Sequence, residues 1–324
     1  MTAGYFTGKG KCLCGDSMNL LMELEDESID LVMTSPPFSL QRQKEYGNTG
    51  QNKYVSWLCG FCREIYGKLK PSGSLVLDVG GAYEKGQPVY SLYQFRLLIA
   101  LCDELGYMLA QPFYWHNTGA LPAPVEWVNK KKLRAKNSVN TVWWLCKSPD
   151  CKADITRVLT PYSARMERLI NHPEEFVKSE GTHRPSGHVL GQSSWAKDNG
   201  GAIPPNMLQI PNTESNGQYL RFCRTIGIKP HPARFPAGLP EFFIKFLTDE
   251  GDLVLDIFAG SNTTGHTAER LGRRWLSFEL SREYAAGSAL RFADSEEAAR
   301  KYYNAVMSGE YVEISERQIM MFTG

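Results

Sequence analysis

Short runs of aliphatic residues alternate along this chain with longer stretches in which apolar residues recur every three or four positions. The runs at 29–34, 74–79 and 253–257 have the length and composition of strands that are buried on both faces of a sheet. The longer stretches have the period of amphipathic helices. Because parallel strands need crossover helices between them, this alternation predicts an α/β fold with a doubly wound, mostly parallel sheet.

The same pattern predicts the remaining elements and the domain boundaries. Further strands are expected at 11–14, 107–115 and 141–146, and helices at about 17–24, 55–69, 95–105 and 239–247. From Lys147 to about Lys229 the chain becomes irregular, with scattered Pro, Gly, Ser and Asn. We therefore predict one domain formed by residues 1–148 and 229–324, with a loop-rich region inserted at 149–228.

Composition limits the class of protein. The chain has 324 residues, of which 42% are hydrophobic and 22% are charged, and its net charge is +1. We find no apolar run that approaches the length of a membrane span, and the N-terminus lacks the pattern of a signal peptide. We expect a cytoplasmic protein of a prokaryotic kind with no membrane partner, and the sequence suggests no obligate protein partner.

The eight cysteines do not suggest a disulfide framework in a chain of this size. Cys59 and Cys62 form a CxxC pair, but they lie inside a helical pattern and no second such pair follows. Core packing is the better interpretation of this pair than zinc or redox chemistry. We predict no metal site.

The first stretch that suggests chemistry is Ser35-Pro36-Pro37-Phe38, at the end of the 29–34 strand. Proline has no backbone N–H and fixes its own φ, so two prolines in succession end the strand and stiffen the turn. The turn leaves a hydroxyl, a carbonyl at Pro36 and an aromatic ring at one edge of the sheet. Two acceptors could hold an exocyclic amino group while the Phe38 ring stacks on the ring that carries it, so the turn predicts a pocket for a nucleobase.

A second signal follows the 253–257 strand. The turn Phe258-Ala259-Gly260-Ser261-Asn262-Thr263 leads into a helix that ends near Gly272, and the next strand ends at Glu279. Small residues let a ligand approach the backbone closely, and a carboxylate at the end of the next strand can bind ribose hydroxyls. The turn is not GxGxxG, so a nucleotide-type cofactor is expected rather than a dinucleotide.

Together these motifs resemble those of a known family. The Ser35 turn comes first, the irregular region follows, and His231-Pro232-Ala233-Arg234-Phe235-Pro236 stands just before the strand that ends in Asp256. This order resembles the beta group of S-adenosylmethionine-dependent DNA amino methyltransferases, and within it the PvuII-type cytosine-N4 modification enzymes. The resemblance implies a circularly permuted Rossmann-like methyltransferase fold, S-adenosylmethionine as cofactor and double-stranded DNA as partner. It also implies a role in a restriction-modification system, with residues 149–228 as the target-recognition region.

The resemblance also implies roles for individual residues. Asp16 would meet the cofactor's adenine amino group, Glu279 its ribose, and the His231–Pro236 segment would close over its methionine end. The implied cofactor-binding set is Asp16, His231, Phe235, Asp256, Phe258, Ala259, Gly260, Ser261, Asn262, Thr263 and Glu279. Asn262 stands where the family often has a second glycine, and asparagine tolerates the left-handed backbone better than most residues. The alternative for Asp16 is that it simply caps the helix that begins near Met18.

The implied catalytic set is Ser35, Pro36, Phe38 and Asp78. Asp78 ends the 74–79 strand, which a parallel sheet would place beside the Ser35 strand, so we predict that Asp78 accepts a hydrogen bond from the Ser35 hydroxyl. The alternative is that Asp78 orders the Gly80–Gly81 loop. A serine at position 35 favours cytosine N4 over adenine N6, although an adenine-N6 methyltransferase of the same fold stays open. A nicotinamide-dependent oxidoreductase that uses the 256–279 unit is a more distant alternative.

A base inside a duplex cannot reach such a pocket, so the target would have to be flipped out. Candidate phosphate contacts are the basic residues Lys44, Lys53, Lys130, Lys131, Lys132 and Arg134. Base reading is expected from polar residues of the inserted region, among them Arg157, Arg165 and Arg168. For all of these residues the alternative is that they are simply solvated.

Overall fold

The structure is a computed structural model that describes residues 3–38, 51–172, 198–213 and 217–315. The chain divides into a larger unit, residues 1–153 and 206–324, and a smaller unit, residues 154–205.

The larger unit is built around one sheet, which has ten strands among the described residues. The strands are β1 (Gly4–Phe6), β2 (Gly10–Cys14), β3 (Ile29–Thr34), β4 (Leu69–Val79), β5 (Met108–His116), β6 (Val139–Cys146), β7 (Met207–Gln209), β8 (Leu253–Asp256), β9 (Arg274–Glu279) and β10 (Tyr311–Glu313). Their order across the sheet is β10-β1-β2-β9-β8-β3-β4-β6-β5-β7.

The described chain has nine α-helices, of which eight belong to the larger unit and connect its strands or flank its sheet. They are α1 (Ser17–Met22), α2 (Gln51–Lys68), α3 (Tyr93–Asp103), α4 (Ala164–Asn171), α5 (Gln218–Ile226), α6 (Gly238–Leu247), α7 (Thr263–Arg270), α8 (Arg282–Ser288) and α9 (Glu296–Ser308). Asp16, Ser281 and Ser295 cap three of them by accepting backbone N–H groups of the first turn. Of the nine, only α4 lies in the smaller unit.

The five central strands β2, β9, β8, β3 and β4 are all parallel to one another. Their carboxyl ends therefore lie along one edge of the sheet, which is where ligands bind in open α/β sheets. Beyond β4, strand β6 is antiparallel and β5 is antiparallel to β6, so β5 again points toward the same edge. This arrangement confirms the predicted doubly wound, mostly parallel α/β sheet.

The core follows the period of the strands. Alternate residues of β4, such as Leu75, Leu77 and Val79, pack with α1, α2 and α3 in one buried cluster. On β5 and β6, the rings of Phe113 and Trp144 contact aromatic side chains of α6. Helices therefore cover the sheet on both sides, and the strands are continuous apolar runs because both of their faces are buried.

The region predicted as an insertion contributes to both units. Strand β7 pairs in parallel with β5, and α5 buries Tyr219, Phe222 and Cys223 within the larger unit. The smaller unit contains α4 and an antiparallel bridge between Thr160 and Ala202. The target-recognition role of residues 149–228 stays a prediction. Within the described ranges, none of the helices has the length and apolar composition to cross a bilayer.

Candidate active site

A cavity of about 570 Å³ opens at the carboxyl edge of the parallel strands. Its wall brings together the Ser35 turn and the turn after β8, which are more than 200 positions apart in the sequence. The predicted residues on this wall are Asp16, Ser35, Pro36, Phe38, Asp78, His231, Phe235, Phe258, Ala259, Gly260, Ser261, Thr263 and Glu279. The two sequence signals therefore form one site.

We call Ser35–Phe38 the lip of the cavity. The lip follows β3 directly, and the Ser35 hydroxyl donates to Asp78 Oδ2 at 3.0 Å. This hydrogen bond confirms the contact predicted between the ends of two adjacent parallel strands. The Phe38 ring lies over Gly80, where an added Cβ would stand 2.4 Å from Phe38 Cε2. A glycine at position 80 is therefore required for the observed position of the ring.

Asp78 is buried, and this burial raises the pKa of its carboxyl to about 6. Hydrogen bonds from Asn140 Nδ2, at 3.1 Å, and from Ser35 act in the opposite direction because they stabilise the ionised form. With a pKa of about 6, the carboxyl is ionised at neutral pH and can accept a hydrogen bond from the Ser35 hydroxyl. Asn140 was not among the predicted residues, because its partner is 62 positions away.

We call residues 258–263 the cofactor turn. Two residues that were predicted to bind the cofactor, Asp256 and Asn262, hold the backbone of this turn and its surroundings through buried side chains. Asp256 is 1% exposed and accepts hydrogen bonds from the Thr34 and Thr264 hydroxyls, both at 2.7 Å, and from the Phe258 backbone N–H at 3.1 Å. Its carboxylate is not on the cavity wall. The interaction with Thr34 ties the lip strand directly to the cofactor turn.

Asn262 is the second of these supporting residues. Its backbone has φ +52° and ψ +46°, which is the left-handed conformation that asparagine was expected to tolerate. Its buried side chain caps α7 at Gly265, accepts from Ser277 and donates to the Tyr5 hydroxyl. The polar atoms of both side chains are bound to protein groups, and neither residue is on the cavity wall. The structure therefore supports an indirect role for Asp256 and Asn262, and their direct contact with the cofactor stays a prediction.

The exposed part of the turn suits close approach of a ligand to the backbone. Gly260 has φ +53°, and a Cβ there would stand 3.0 Å from the His231 ring. Arg291 fixes the turn from the side, donating to the Ser261 carbonyl at 2.6 Å and to Thr263 Oγ1 at 2.9 Å. Arg291 was missed by the sequence analysis, since nothing in its local pattern separates it from a surface arginine.

Two carboxylates flank the turn. Glu279 ends β9, and its oxygens accept from the backbone N–H groups of Gly260 at 2.7 Å and Ser281 at 2.9 Å. Burial raises the pKa of Glu279, while these hydrogen bonds lower it. Asp16 Oδ1 accepts from Met18 and Asn19 at 3.0 and 3.2 Å, which confirms the alternative that Asp16 caps α1. Its second oxygen takes no part in that cap, and the residue also lines the cavity.

Part of the cavity wall is aromatic. Phe258 contacts Trp57 and Phe61, with ring centroids 5.6 and 5.2 Å apart. Trp115 also lines the cavity, and its indole N–H is bound to the Ile210 carbonyl. The predicted residues did not include Trp57, Phe61 or Trp115, although the spacing of Trp57 and Phe61 at i and i+4 on α2 was a usable signal.

The segment around His231 covers the cofactor turn. His231 Nδ1 lies 2.7 Å from the Ala233 carbonyl, and the ring packs edge-on against Tyr284. Arg234 donates to the His231 carbonyl and lies over the Tyr219 ring, 5.9 Å from its centroid. His231 and Phe235 therefore reach the cavity, as expected.

The predicted basic residues that the structure describes do not line the cavity. Lys130 and Lys131 are paired with Glu126 at 3.3 and 3.4 Å, and Arg134 donates to the Pro88 carbonyl at 3.0 and 2.6 Å. Lys53 and Lys132 are exposed, and Lys44 lies outside the described residues. Arg157, Arg165 and Arg168 lie in the smaller unit. Over the described residues, no group of three or more His, Cys, Asp and Glu side chains could hold a metal ion.

Comparisons with known proteins agree with this site. A protein-family model described as DNA methylase, of the N6/N4 type, matches residues 29–290. The chain is 56% identical to the type II methyltransferase M.PvuII of Proteus hauseri, over 96% of this chain and 93% of that protein. It is 26% identical to the type II methyltransferase M.BglII of Bacillus subtilis, over 83% of this chain and 65% of that protein.

The fold is also that of a solved structure. The chain matches the structure of PvuII DNA methyltransferase (cytosine-N4-specific) with a TM-score of 0.79 and 50% identity, covering 96% of this chain and 97% of that one. Both the family model and the M.PvuII match extend across the lip and the cofactor turn. The chain belongs to the N6/N4 DNA methylase family.

Proposed function

We propose that this protein transfers a methyl group from S-adenosylmethionine to the exocyclic N4 of a cytosine that is flipped out of duplex DNA. The observation that carries the proposal is that the Ser35 lip and the turn at Gly260 line the same cavity. One wall offers acceptors for an amino group, and the other offers a turn of small residues beside two carboxylates. As part of a restriction-modification system, this activity would protect host DNA in the cytoplasm.

The residues of the cofactor wall fit S-adenosylmethionine. The aromatic cluster at Trp57, Phe61 and Phe258 is an apolar wall for a flat adenine, and each carboxylate oxygen of Glu279 has lone pairs beyond the one used by the backbone. Gly260 has a positive φ, which favours glycine, and as a glycine it leaves the tip of the turn without a side chain. When bound, the cofactor would supply an electrophilic methyl group on its sulfonium.

At the lip, the protein's own groups would orient the amino nitrogen. The Ser35 hydroxyl donates its proton to Asp78, so its oxygen is left to accept an amino hydrogen. The Pro36 carbonyl would accept the other hydrogen, and the Phe38 ring, held over Gly80, would fix the plane of the base. Two acceptors would reduce delocalisation of the nitrogen lone pair, and alignment of that lone pair with the methyl carbon would lower the barrier further.

The transfer needs no covalent intermediate with the protein. A bond forms between the amino nitrogen and the methyl carbon as the sulfur–carbon bond breaks, and the nitrogen then loses one proton. Ser35 would take up that proton as it passes its own hydroxyl proton to Asp78, which is ionised at neutral pH because its pKa is about 6. Asp78 would then release the proton to solvent. We propose Ser35, Pro36 and Phe38 as the catalytic residues and Asp78 as the residue that holds the Ser35 hydroxyl.

The choice of cytosine N4 over adenine N6 rests on the serine at position 35 and on the relatives. M.PvuII, 56% identical to this chain, corresponds by name to the solved methyltransferase described as cytosine-N4-specific. The family as a whole includes enzymes of both types by its name. Membership of this family leaves no support for the nicotinamide-dependent alternative.

We further propose that the basic loop before β6 contacts phosphates. This loop follows β5, whose carboxyl end lies at the same sheet edge as the lip, and it exposes Lys130, Lys131 and Lys132. Reading of the bases would come from residues 149–228. A flipped base would be held at the lip after the loop and the inserted region have bound the duplex.

The test is the fate of DNA in a cell that expresses the protein. Plasmid from such cells should resist at least one member of a panel of type II endonucleases, and nucleoside analysis should show N4-methylcytosine. Plasmid from cells that express the Ser35→Ala variant is the matched control and should be cut. Detection of N6-methyladenine instead would show that the protein is an adenine-N6 methyltransferase. Unmodified plasmid from cells that contain soluble protein able to bind the cofactor would refute the proposal.

A further inference from the structure

The carboxylate of Asp78 is held on both of its oxygens. Oδ2 accepts from the Ser35 hydroxyl at 3.0 Å, and Oδ1 accepts from Asn140 Nδ2 at 3.1 Å. All three residues reach the wall of the cavity. A carboxylate with one donor can rotate about its Cβ–Cγ bond, whereas one with a donor on each side has its plane fixed.

The sheet itself delivers Asn140 to this position. Strand β6 runs antiparallel to β4, with Asp78 opposite Val142. Asn140 lies two residues before Val142, so its side chain is on the same face of the sheet and one diagonal step from Asp78. The neighbouring Thr141 hydroxyl donates to the Val79 carbonyl at 2.9 Å, which fixes the start of β6 against the end of β4.

The chemistry of the pair assigns the direction of the bond. An ionised carboxylate only accepts hydrogen bonds, so the amide nitrogen of Asn140, and not its oxygen, faces Asp78. We infer that Asn140 is a positioning residue for methyl transfer: it orients Asp78 toward Ser35 and keeps that carboxylate ionised, although Asn140 itself needs no contact with the base. This inference rests on the proposed function of the Ser35 lip.

Other titratable groups near Asp78 do not supply the same effect. Tyr54 of α2 and Tyr93 of α3 interact electrostatically with Asp78, and burial raises the pKa of both, so they stay neutral in the working range. Asp16, Glu279, His231 and Arg234 line the same cavity. Asp78 is buried, and burial raises its pKa because it favours the protonated form. The hydrogen bonds from Asn140 and Ser35 lower that pKa, so without Asn140 only the Ser35 hydrogen bond would oppose the effect of burial.

The sign of the expected pH effect follows. Ionised Asp78 is the active form, so the transfer rate should fall as the pH is lowered through the pKa of about 6. We call the fall of the transfer rate on the acid side of the pH profile the acid limb. The Asn140→Ala variant loses a donor to the ionised form, so the pH at which its acid limb lies should rise by about one unit, as expected for one hydrogen bond to a charged group. The Asn140→Asp variant places a second carboxylate beside Asp78 and should move the limb further in the same direction.

The experiment is single-turnover transfer of a labelled methyl group to duplex DNA, at saturating S-adenosylmethionine, across a range of pH. Thr141→Val is the matched control, because it removes a hydrogen bond from the next residue of the same strand without touching Asp78. Thr141→Val should keep the wild-type limb, and cofactor binding should be unchanged in every variant. The Asp78→Asn variant should be slow and should lack the limb.

The outcomes separate the inference from the function. If Asp78→Asn lacks the limb but Asn140→Ala keeps the wild-type limb and rate, Asn140 does not position Asp78 and the inference is wrong. If Asp78→Asn retains both the rate and the limb, the proposed role of Asp78 is wrong, and the inference is refuted with it. An equal upward movement in Thr141→Val and Asn140→Ala would assign the effect to disturbance of β6 and would also refute the inference.

Discussion

The two walls of the cavity are built in different ways. The cofactor turn is held by the side chains of Asp256, Asn262 and Arg291, which together bind backbone and hydroxyl groups in and around it. The lip depends on a chain of two hydrogen bonds, from Ser35 to Asp78 and from Asn140 to Asp78. The cofactor turn is held by buried or part-buried side chains that each have several partners, whereas the lip is held by side chains at the ends of strands.

This difference separates the consequences of mutation. Buried polar groups with several partners contribute to stability, because their loss leaves donors without acceptors in the core. A part-buried hydroxyl at a strand end contributes little to stability, but it can contribute strongly to a transition state. Changes below the cofactor turn should therefore lower stability and cofactor binding, whereas changes at the lip should lower the rate.

The largest expected effect is that of Asp256→Ala. It removes the acceptor of three hydrogen bonds, and we expect the free energy of unfolding to fall by about 3 kcal/mol or more, with loss of cofactor binding. Urea unfolding measures the first and a binding titration the second. The control is Asp249→Ala, whose carboxylate is half-exposed and paired with Lys152, and which should change stability by about 1 kcal/mol or less. Similar losses of stability and of cofactor binding in both variants would show that Asp256 has no special role in supporting the cofactor turn.

Next in size is the effect of Ser35→Ala on the transfer rate. Loss of one oriented acceptor should lower single-turnover transfer by about a hundredfold, with cofactor affinity and unfolding unchanged. The matched variant on the other wall is Ser17→Ala, which removes a hydrogen bond of 2.6 Å to the Ile257 carbonyl. That variant should weaken cofactor binding and leave the rate at saturating cofactor unchanged. Weaker cofactor binding in Ser35→Ala and a lower rate at saturating cofactor in Ser17→Ala would show that the two walls do not have the separate roles assigned to them.

The same difference explains what the sequence could predict. The cofactor turn is local: strand, turn, helix and strand follow one another from 253 to 279, so the residues that shape it could be recognised together. The predicted family and fold are confirmed, and so is the Ser35–Asp78 hydrogen bond, because adjacent parallel strands bring their ends together. The turn's motif did not show which members face inward, and this is why the indirect role of Asp256 and Asn262 was not predicted.

Two of the missed residues, Asn140 and Arg291, have partners that are distant in the sequence. Asn140 reaches Asp78 only because β6 inserts antiparallel between β4 and β5. Arg291 reaches the cofactor turn from 28 and 30 positions away. The boundary of the inserted region shows the same limit, since β7 joins the main sheet through a pairing that no local pattern indicates.

Two glycines, one on each wall, sharpen the comparison. Gly80→Ala places a Cβ against the Phe38 ring and should lower transfer by about tenfold, while cofactor binding is kept. Gly260→Ala places a side chain at φ +53° against His231 and should weaken cofactor binding by about tenfold. Each variant is the control for the other, and both properties are measured in both proteins. Equal effects of the two variants on both properties would show that the walls are not independent.

The smallest effect concerns the surface outside both walls. Replacement of Lys130, Lys131 and Lys132 by alanine should weaken DNA binding several-fold at moderate salt and should lower the salt dependence of log K by about 2 to 3, roughly one for each phosphate that the variant no longer neutralises. Two of these lysines share Glu126, and this pairing reduces their charge toward DNA, so the lower value is the better expectation.

The control for the lysines is the double variant Lys9→Ala and Lys11→Ala. These exposed lysines lie at the start of β2, at the opposite end of the parallel strands from the cavity, so their removal should leave the salt dependence unchanged. Both variants should keep the cofactor affinity and the rate at saturating DNA, because neither wall is touched. If the two variants change the salt dependence equally, the loop before β6 has no special role, and the duplex is held by charge spread over the whole surface.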